Sequence, residues 1–100
     1  MNIHNLSLLV IIAEALLKDR LIHAIRESGA KGFTVTEVAG EGSRQRRVGE
    51  LLGDNIKIEV IANRDTAERI LIVLQQDYFP QYTVIAYLSE VQVLREDKYV

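Results

Sequence analysis

Residues Leu6 to Ala13 form an apolar run, interrupted only by Ser7 and bounded by polar residues. Its length and its β-branched content predict a strand buried on both faces in the middle of a sheet. From Ala15 to Ser28, apolar Leu17, Leu21, Ala24 and Ile25 recur between Lys18, Asp19, Arg26 and Glu27. That spacing predicts a helix that buries one stripe, and Gly29 stands where a helix end often needs a left-handed residue. Phe33 to Val38 alternates and is rich in strand formers, predicting a second strand. Asn55 to Ala62 alternates again and predicts a third. Asn63 or Asp65 can cap a helix over Thr66 to Tyr78, which places Ala67, Ile70, Leu71, Leu74 and Tyr78 on one face. That helix must end before Pro80, the only proline. Tyr82 to Val93 reads as a last strand, followed by a charged tail from Arg95 to Lys98.

This order predicts an α+β domain of ferredoxin-like βαββαβ pattern spanning residues 1–100. Four strands form an antiparallel sheet with both helices on one face, and a long loop at about 42–54 joins strands two and three. The opposite sheet face keeps apolar side chains without intrachain cover, so self-association is expected to bury it.

Composition narrows the chemistry. The chain has 100 residues, 48% of them hydrophobic, which suffices for one core. It has no cysteine, so disulfides, thiolate metal sites and thiol redox chemistry are excluded. Net charge is −2, giving no global attraction for nucleic acid. The apolar run near the N-terminus has no basic residues before it, is too short to span a bilayer and meets Glu14 at once. A cytoplasmic location is expected.

All six glycines fall between Gly29 and Gly53, and hydrophobic periodicity vanishes through Gly40-Glu41-Gly42-Ser43-Arg44-Gln45-Arg46-Arg47. Glycines let backbone N–H groups converge on an anion, Ser43 adds a hydroxyl donor, and guanidinium groups make bidentate bonds to phosphate or carboxylate oxygens. A solvated hairpin whose arginines only keep an edge soluble fits the same residues. The loop is neither a Walker A motif, lacking Gly-Lys-Ser/Thr, nor a Rossmann fingerprint, since it follows the second strand and opens no helix.

Three segments together carry a likeness: Glu27-Ser28-Gly29-Ala30-Lys31-Gly32-Phe33-Thr34-Val35, then Gly40-Glu41-Gly42-Ser43-Arg44, then Asn55-Ile56-Lys57-Ile58-Glu59. They resemble the PII superfamily, and within it the PII-like branch of bicarbonate-transport regulators and carboxysome-associated PII proteins. The resemblance runs from Leu8 to Leu94. It implies a homotrimer with adenine nucleotides bound in the clefts between subunits, and a T-loop between strands two and three that responds to the ligand. By this likeness Thr34 is an adenine-side residue, and Gly40, Gly42, Ser43, Arg44 and Arg47 form the phosphate-side base of the loop. Ile61 and Thr83, Val84 and Ile85 frame base and ribose, largely through backbone, and Glu59 fixes the loop. The partner implied is a bicarbonate transporter or a carboxysome-related protein, with bicarbonate itself a possible ligand.

The departures from the family pattern refine the expectation. No tyrosine lies between Gly40 and Asp54, so the uridylylation site of nitrogen-signalling members is missing. The glycine- and lysine-rich B-loop of those members is replaced by the short Phe79-Pro80-Gln81-Tyr82. AMP, ADP or cyclic AMP are therefore expected ahead of ATP, with no 2-oxoglutarate sensing. The cysteine-bearing C-terminal extension of some bicarbonate regulators is also absent from this sequence.

No enzymatic constellation emerges. His4 and His23 are the only histidines, and neither has an acidic residue at ligand spacing for a metal pair or a glycine-flanked nucleophile beside it. The nucleotide is thus expected as a regulatory ligand, with no metal and no other cofactor. A small ferredoxin-like enzyme is the alternative reading, as is an RNA-binding module. The latter needs aromatic side chains on central strands, where this chain has aliphatics.

Overall fold

The computed structural model of the chain describes residues 1–40 and 54–100. Strand β1 (His4–Glu14) pairs antiparallel with β3 (Asn55–Ala62) on one side and with β4 (Ile85–Val93) on the other. Strand β2 (Thr34–Val38) pairs antiparallel with β3, which gives the order β2-β3-β1-β4. Helices α1 (Lys18–Glu27) and α2 (Arg64–Asp77) pack on one face. This is the ferredoxin-like arrangement that the hydrophobic pattern predicts.

The core forms where the two periodicities meet. Leu9, Ile11 and Ala13 of β1 and Ile56, Ile58, Val60 and Ala62 of β3 point to the helices. Against them lie Leu17, Leu21 and Ile25 at four-residue spacing, then Ile70, Leu74 and Tyr78. Each fully buried aliphatic side chain in this layer contributes about 1.5–3 kcal/mol of transfer free energy. Leu71, assigned to the same stripe by spacing, is only half-buried.

Several boundaries differ from the sequence reading. Strand β1 extends two residues earlier and one later than the apolar run, because its ends still find ladder partners: His4 opposite Val93 and Glu14 opposite Asn55. The first turn of the first helix is a 3-10 turn, Ala15–Leu17, before the α-helix starts at Lys18. The last strand starts at Ile85 instead of Tyr82. Residues 79–82 instead continue from α2 as a turn, in which the Tyr82 N–H donates to the Tyr78 carbonyl at 2.8 Å. Asn63, not Asp65, caps α2: its side-chain oxygen accepts from the Thr66 N–H at 2.8 Å. The tail after β4 is not loose, because Glu96–Lys98 forms a 3-10 turn.

Helix α1 ends in a Schellman turn. The Gly29 N–H donates to the Arg26 carbonyl at 3.0 Å and the Ala30 N–H to the Ile25 carbonyl at 3.4 Å. Gly29 has φ +98°, a conformation that a Cβ disfavours. Arg69 of α2 braces the turn, donating from Nε to the Ser28 carbonyl at 3.2 Å and from Nη2 to the Thr66 hydroxyl at 3.0 Å. The turn aims residues 30–33 back toward the sheet edge where β2 begins.

Strand alternation puts Leu8, Val10, Ile12, Ile61, Ile85, Tyr87 and Val91 on the face away from the helices. Ile85 and Tyr87 are 54% and 52% exposed there. Val10 is buried at 3% exposure, but the described helices lie on the other face and cover none of this stripe.

Two substitutions test this packing by urea denaturation. Leu21→Ala removes a side chain that is 1% exposed and is expected to lower stability by about 2–5 kcal/mol. Asn63→Ala is expected to cost about 1 kcal/mol, whereas Asn63→Asp keeps the cap. Equal stability of Asn63→Ala and the parent would contradict the capping role.

Candidate functional site

On the open face a half-open cleft of about 260 Å³ lies where three pieces of chain meet. Its floor is the sheet: Thr34 of β2 lies opposite Glu59 of β3, and Ile61, two residues along β3, lies opposite Leu8 of β1. One side is the segment leading out of the α1 turn, Gly32 and Phe33, and the other is Lys98 and Tyr99 of the C-terminal turn. The volume is below the roughly 300–1,000 Å³ of a cleft that encloses a drug-sized ligand. It suits one flat portion of a larger molecule.

Each wall is held by a separate device. Phe33 is half-buried with the Arg26 guanidinium over its ring at 5.4 Å, a cation–π contact that fixes the ring from the helix side. A Cβ added at Gly32 would meet nothing within 4 Å, so the backbone there borders open space. The C-terminal turn is pinned by the Lys31 ammonium donating to the Asp97 carbonyl at 3.2 Å and by His4 Nδ1 lying 3.4 Å from a Glu96 carboxylate oxygen. Internally it is closed by N–H groups of Tyr99 and Val100 donating to the Glu96 carbonyl at 2.9 and 3.1 Å. The charged groups in the cleft are Glu59 and Lys98.

Thr34, Glu59 and Ile61, singled out from sequence, therefore come together. Gly40 follows β2, exposed, with open space around its Cα. Gly42, Ser43, Arg44 and Arg47, and with them the expected pairing of Glu59 with a loop arginine, lie outside the described residues. Thr83, Val84 and Ile85 are not in the cleft. The strand order places β3 and β1 between them and β2, three strand spacings or about 14 Å away. Val84 is buried in the core and Thr83 half-buried. Sequence reasoning missed Leu8, Gly32, Phe33, Lys98 and Tyr99 as lining residues. Gly32 and Phe33 lay within the segment that carried the family likeness, but the fold-back of residues 96–100 left no periodic signal.

A second, shallower groove of about 440 Å³ lies along the outer side of the helices, lined by Asp19, Arg20, His23, Val73, Asp77 and Tyr78 among others. Arg20 sits 5.4 Å from the Tyr78 ring centroid and 5.6 Å from that of Tyr82, and donates to the Tyr82 hydroxyl at 3.0 Å. That hydrogen bond, with the charge interaction of the same phenol, raises the Arg20 pKa above its ordinary value. These contacts tie α1 to the end of α2 and serve packing. Among the described residues no group of three or more His, Asp or Glu could hold a metal ion, and no helix is long and apolar enough to cross a membrane. His23 is exposed with Glu27 3.9 Å away, an i,i+4 helical pair that corrects the sequence reading that no acidic residue stands at ligand spacing from it. The central strands β1 and β3 carry no aromatic residue, so the stacking platform of an RNA-reading sheet is missing from them.

The sequence pattern of the family described as nitrogen regulatory protein P-II matches residues 6–98. The chain belongs to the P-II family. Among solved structures it is similar to a PII-like signalling protein from Thermus thermophilus, 47% identical, covering 100% of both chains with a TM-score of 0.86. It is also similar to CPII from Thiomonas intermedia in a complex with ADP and bicarbonate. That likeness is 25% identical, covers 99% of this chain and 98% of that one, and has a TM-score of 0.88. The Bacillus subtilis GlnK–ATP complex shares the fold at 12% identity, with 87% of this chain and 82% of that one covered and a TM-score of 0.65. The P-II assignment makes this a PII-like regulatory protein.

The cleft can be closed without disturbing the P-II fold. Gly32→Leu places a side chain into open space and is expected to change stability by no more than about 0.5 kcal/mol, as for other surface substitutions. Its crystal structure is expected to show leucine between Phe33 and Ile61. A large loss of stability would mean that Gly32 is required by the backbone and does not simply border the cleft.

Proposed function

We propose that this P-II protein is a sensor of adenine nucleotides, reading AMP, ADP or cyclic AMP with bicarbonate as a second ligand. The observation that carries the proposal is the convergence of Thr34, Glu59 and Ile61 on one cleft, in a fold whose 25%-identical relative is a complex with ADP and bicarbonate. The adenine enters the cleft. Leu8 and Ile61 meet its face, while the Thr34 hydroxyl and the Glu59 carboxylate address its polar edge. The phosphates lie outside the cleft, at Gly40, Gly42, Ser43, Arg44 and Arg47, where backbone N–H groups and guanidinium groups neutralise their charge.

A single chain leaves Thr83, Val84 and Ile85 on the sheet edge opposite β2. These residues frame base and ribose only if a neighbouring copy brings its β4 edge to the cleft. The same association covers Ile85 and Tyr87 on the open face. A homotrimer with one nucleotide per intersubunit cleft satisfies both requirements. Nucleotide and bicarbonate then set the state of the T-loop, residues 42–54, which docks on a protein partner in inorganic carbon uptake or carboxysome function. The protein acts by binding, without catalysis, in the cytoplasm as a single domain.

Calorimetric titration tests the reading. ADP and AMP are expected to bind the parent protein, which light scattering is expected to show as a trimer. Gly32→Leu is expected to abolish binding. Charge-assisted hydrogen bonds contribute roughly 1.5–3 kcal/mol each, so Arg44→Ala and Arg47→Ala should each weaken ADP binding about tenfold or more. Arg46→Ala should leave it nearly unchanged, because the family likeness assigns the phosphate to Arg44 and Arg47 and not to Arg46. Equal small losses in all three would reduce the arginines to a diffuse positive field. A parent protein that binds none of these nucleotides would overturn the proposal.

A further inference from the structure

Residues Tyr78 to Ile85 carry the chain from the end of α2 to the start of β4. The Tyr78 and Phe79 N–H groups donate to the Leu74 carbonyl at 3.0 and 2.9 Å, and those of Gln81 and Tyr82 donate to the Tyr78 carbonyl at 3.0 and 2.8 Å. The turn is closed as far as Tyr82. Ile85 is fixed by the ladder, opposite Ile12. Thr83 and Val84 belong to neither turn nor strand, so their placement depends on how firmly Tyr82 is held.

Tyr82 is held from α1. The exposed Arg20 donates from Nη1 to the Tyr82 hydroxyl at 3.0 Å, and its guanidinium carbon lies 5.4 Å from the Tyr78 ring centroid and 5.6 Å from that of Tyr82. The two rings are 6.1 Å apart and tilted by 44°. One guanidinium therefore spans both ends of the turn. Tyr78 lies in the core and Tyr82 packs against it through apolar contacts that do not involve Arg20. An exposed polar contact adds little to stability, but a planar guanidinium bound to two rings and a hydroxyl fixes a direction, which a lysine ammonium would not.

We infer that Arg20 is a positioning residue of the ligand site, acting through Tyr82 to hold Thr83, Val84 and Ile85 where they frame the base and ribose in a neighbouring copy's cleft. The inference rests on the nucleotide reading above and deepens it. Arg20 lines the helix-side groove, across the sheet from the Thr34 cleft, so it acts without touching the nucleotide. Without the tether, residues 83–85 must be ordered when ligand binds, and that ordering costs affinity. The cost falls on base and ribose, so it is the same for AMP and ADP, unlike the loss of a phosphate-binding arginine.

The experiment is calorimetric titration of AMP and of ADP into the parent, Arg20→Met, Tyr82→Phe and the double variant. Amide hydrogen exchange at residues 83–85 is measured on each with and without ADP. Each single variant is expected to weaken AMP and ADP by the same factor, about three- to tenfold, with its melting temperature near the parent's. The double variant is expected to lose no more than the weaker-binding single, since both changes break one contact. Exchange at residues 83–85 is expected to quicken in the ligand-free variants and to return to the parent's rate with ADP bound. If the parent binds ADP but Arg20→Met binds as tightly, loses ADP selectively over AMP, or adds its loss to that of Tyr82→Phe, the inference fails and the nucleotide reading stands. If the parent binds neither nucleotide, both fail. Should Arg20→Met prove unfolded, Tyr82→Phe removes the hydroxyl alone and still decides: parent-like affinity and exchange would overturn the tether.

Discussion

The fold depends on a strand that is apolar on both faces. Strand β1 pairs with β3 and β4 along nearly its whole length, and its odd-numbered residues from Leu9 to Ala13 support the helical core. The even-numbered residues from Leu8 to Ile12 point the other way and are apolar too. Among the described residues both helices, α1 and α2, pack on the same face of the sheet and leave the other without helical cover. One face is thus spent on stability, and the other is left for function.

The site follows from that division. A sheet face bordered by an apolar stripe offers a surface for a flat ligand, and β3 interrupts the stripe with Glu59 beside Ile61, opposite Thr34 on β2. The Schellman turn at Gly29 and its brace by Arg69 steer the chain so that Gly32 and Phe33 rise over the sheet edge. The C-terminal turn closes the far side. The polar residues lining the cleft are one acid, Glu59, one base, Lys98, and two hydroxyl-bearing residues, Thr34 and Tyr99.

The sequence carried most of this architecture, for identifiable reasons. Strict two-residue alternation from Asn55 to Ala62 and four-residue spacing from Leu17 to Ile25 are direct records of burial, and both elements lie where the pattern placed them. Of the three segments that carried the family likeness, residues 27–35 serve the fold as turn and cleft wall and residues 55–59 as part of β3. What escaped was non-local or marked by no period. Tyr82 to Val84 look like strand, yet hydrogen bonds from residues 81 and 82 back to Tyr78 extend the end of α2 instead. The position of Lys98 and Tyr99 depends on contacts with Lys31 and His4, dozens of residues away. The separation of Thr83–Ile85 from Thr34 became visible only with the strand order. Gly42, Ser43, Arg44 and Arg47 lie outside the described residues, and their role rests on chemistry and family likeness.

The central claim is that the cleft at Thr34, Glu59 and Ile61 is the base site of a nucleotide-responsive P-II regulator assembled from several copies. A crystal structure of the full chain grown with ADP and bicarbonate tests it most directly. The account predicts adenine against Leu8 and Ile61 beside Thr34 and Glu59 in every subunit, phosphates against residues 40–47, and the β4 edge of a neighbouring copy completing each cleft. ADP seated in the helix-side groove at Arg20 and Tyr78, or a monomer with its Thr34 cleft empty, would contradict it.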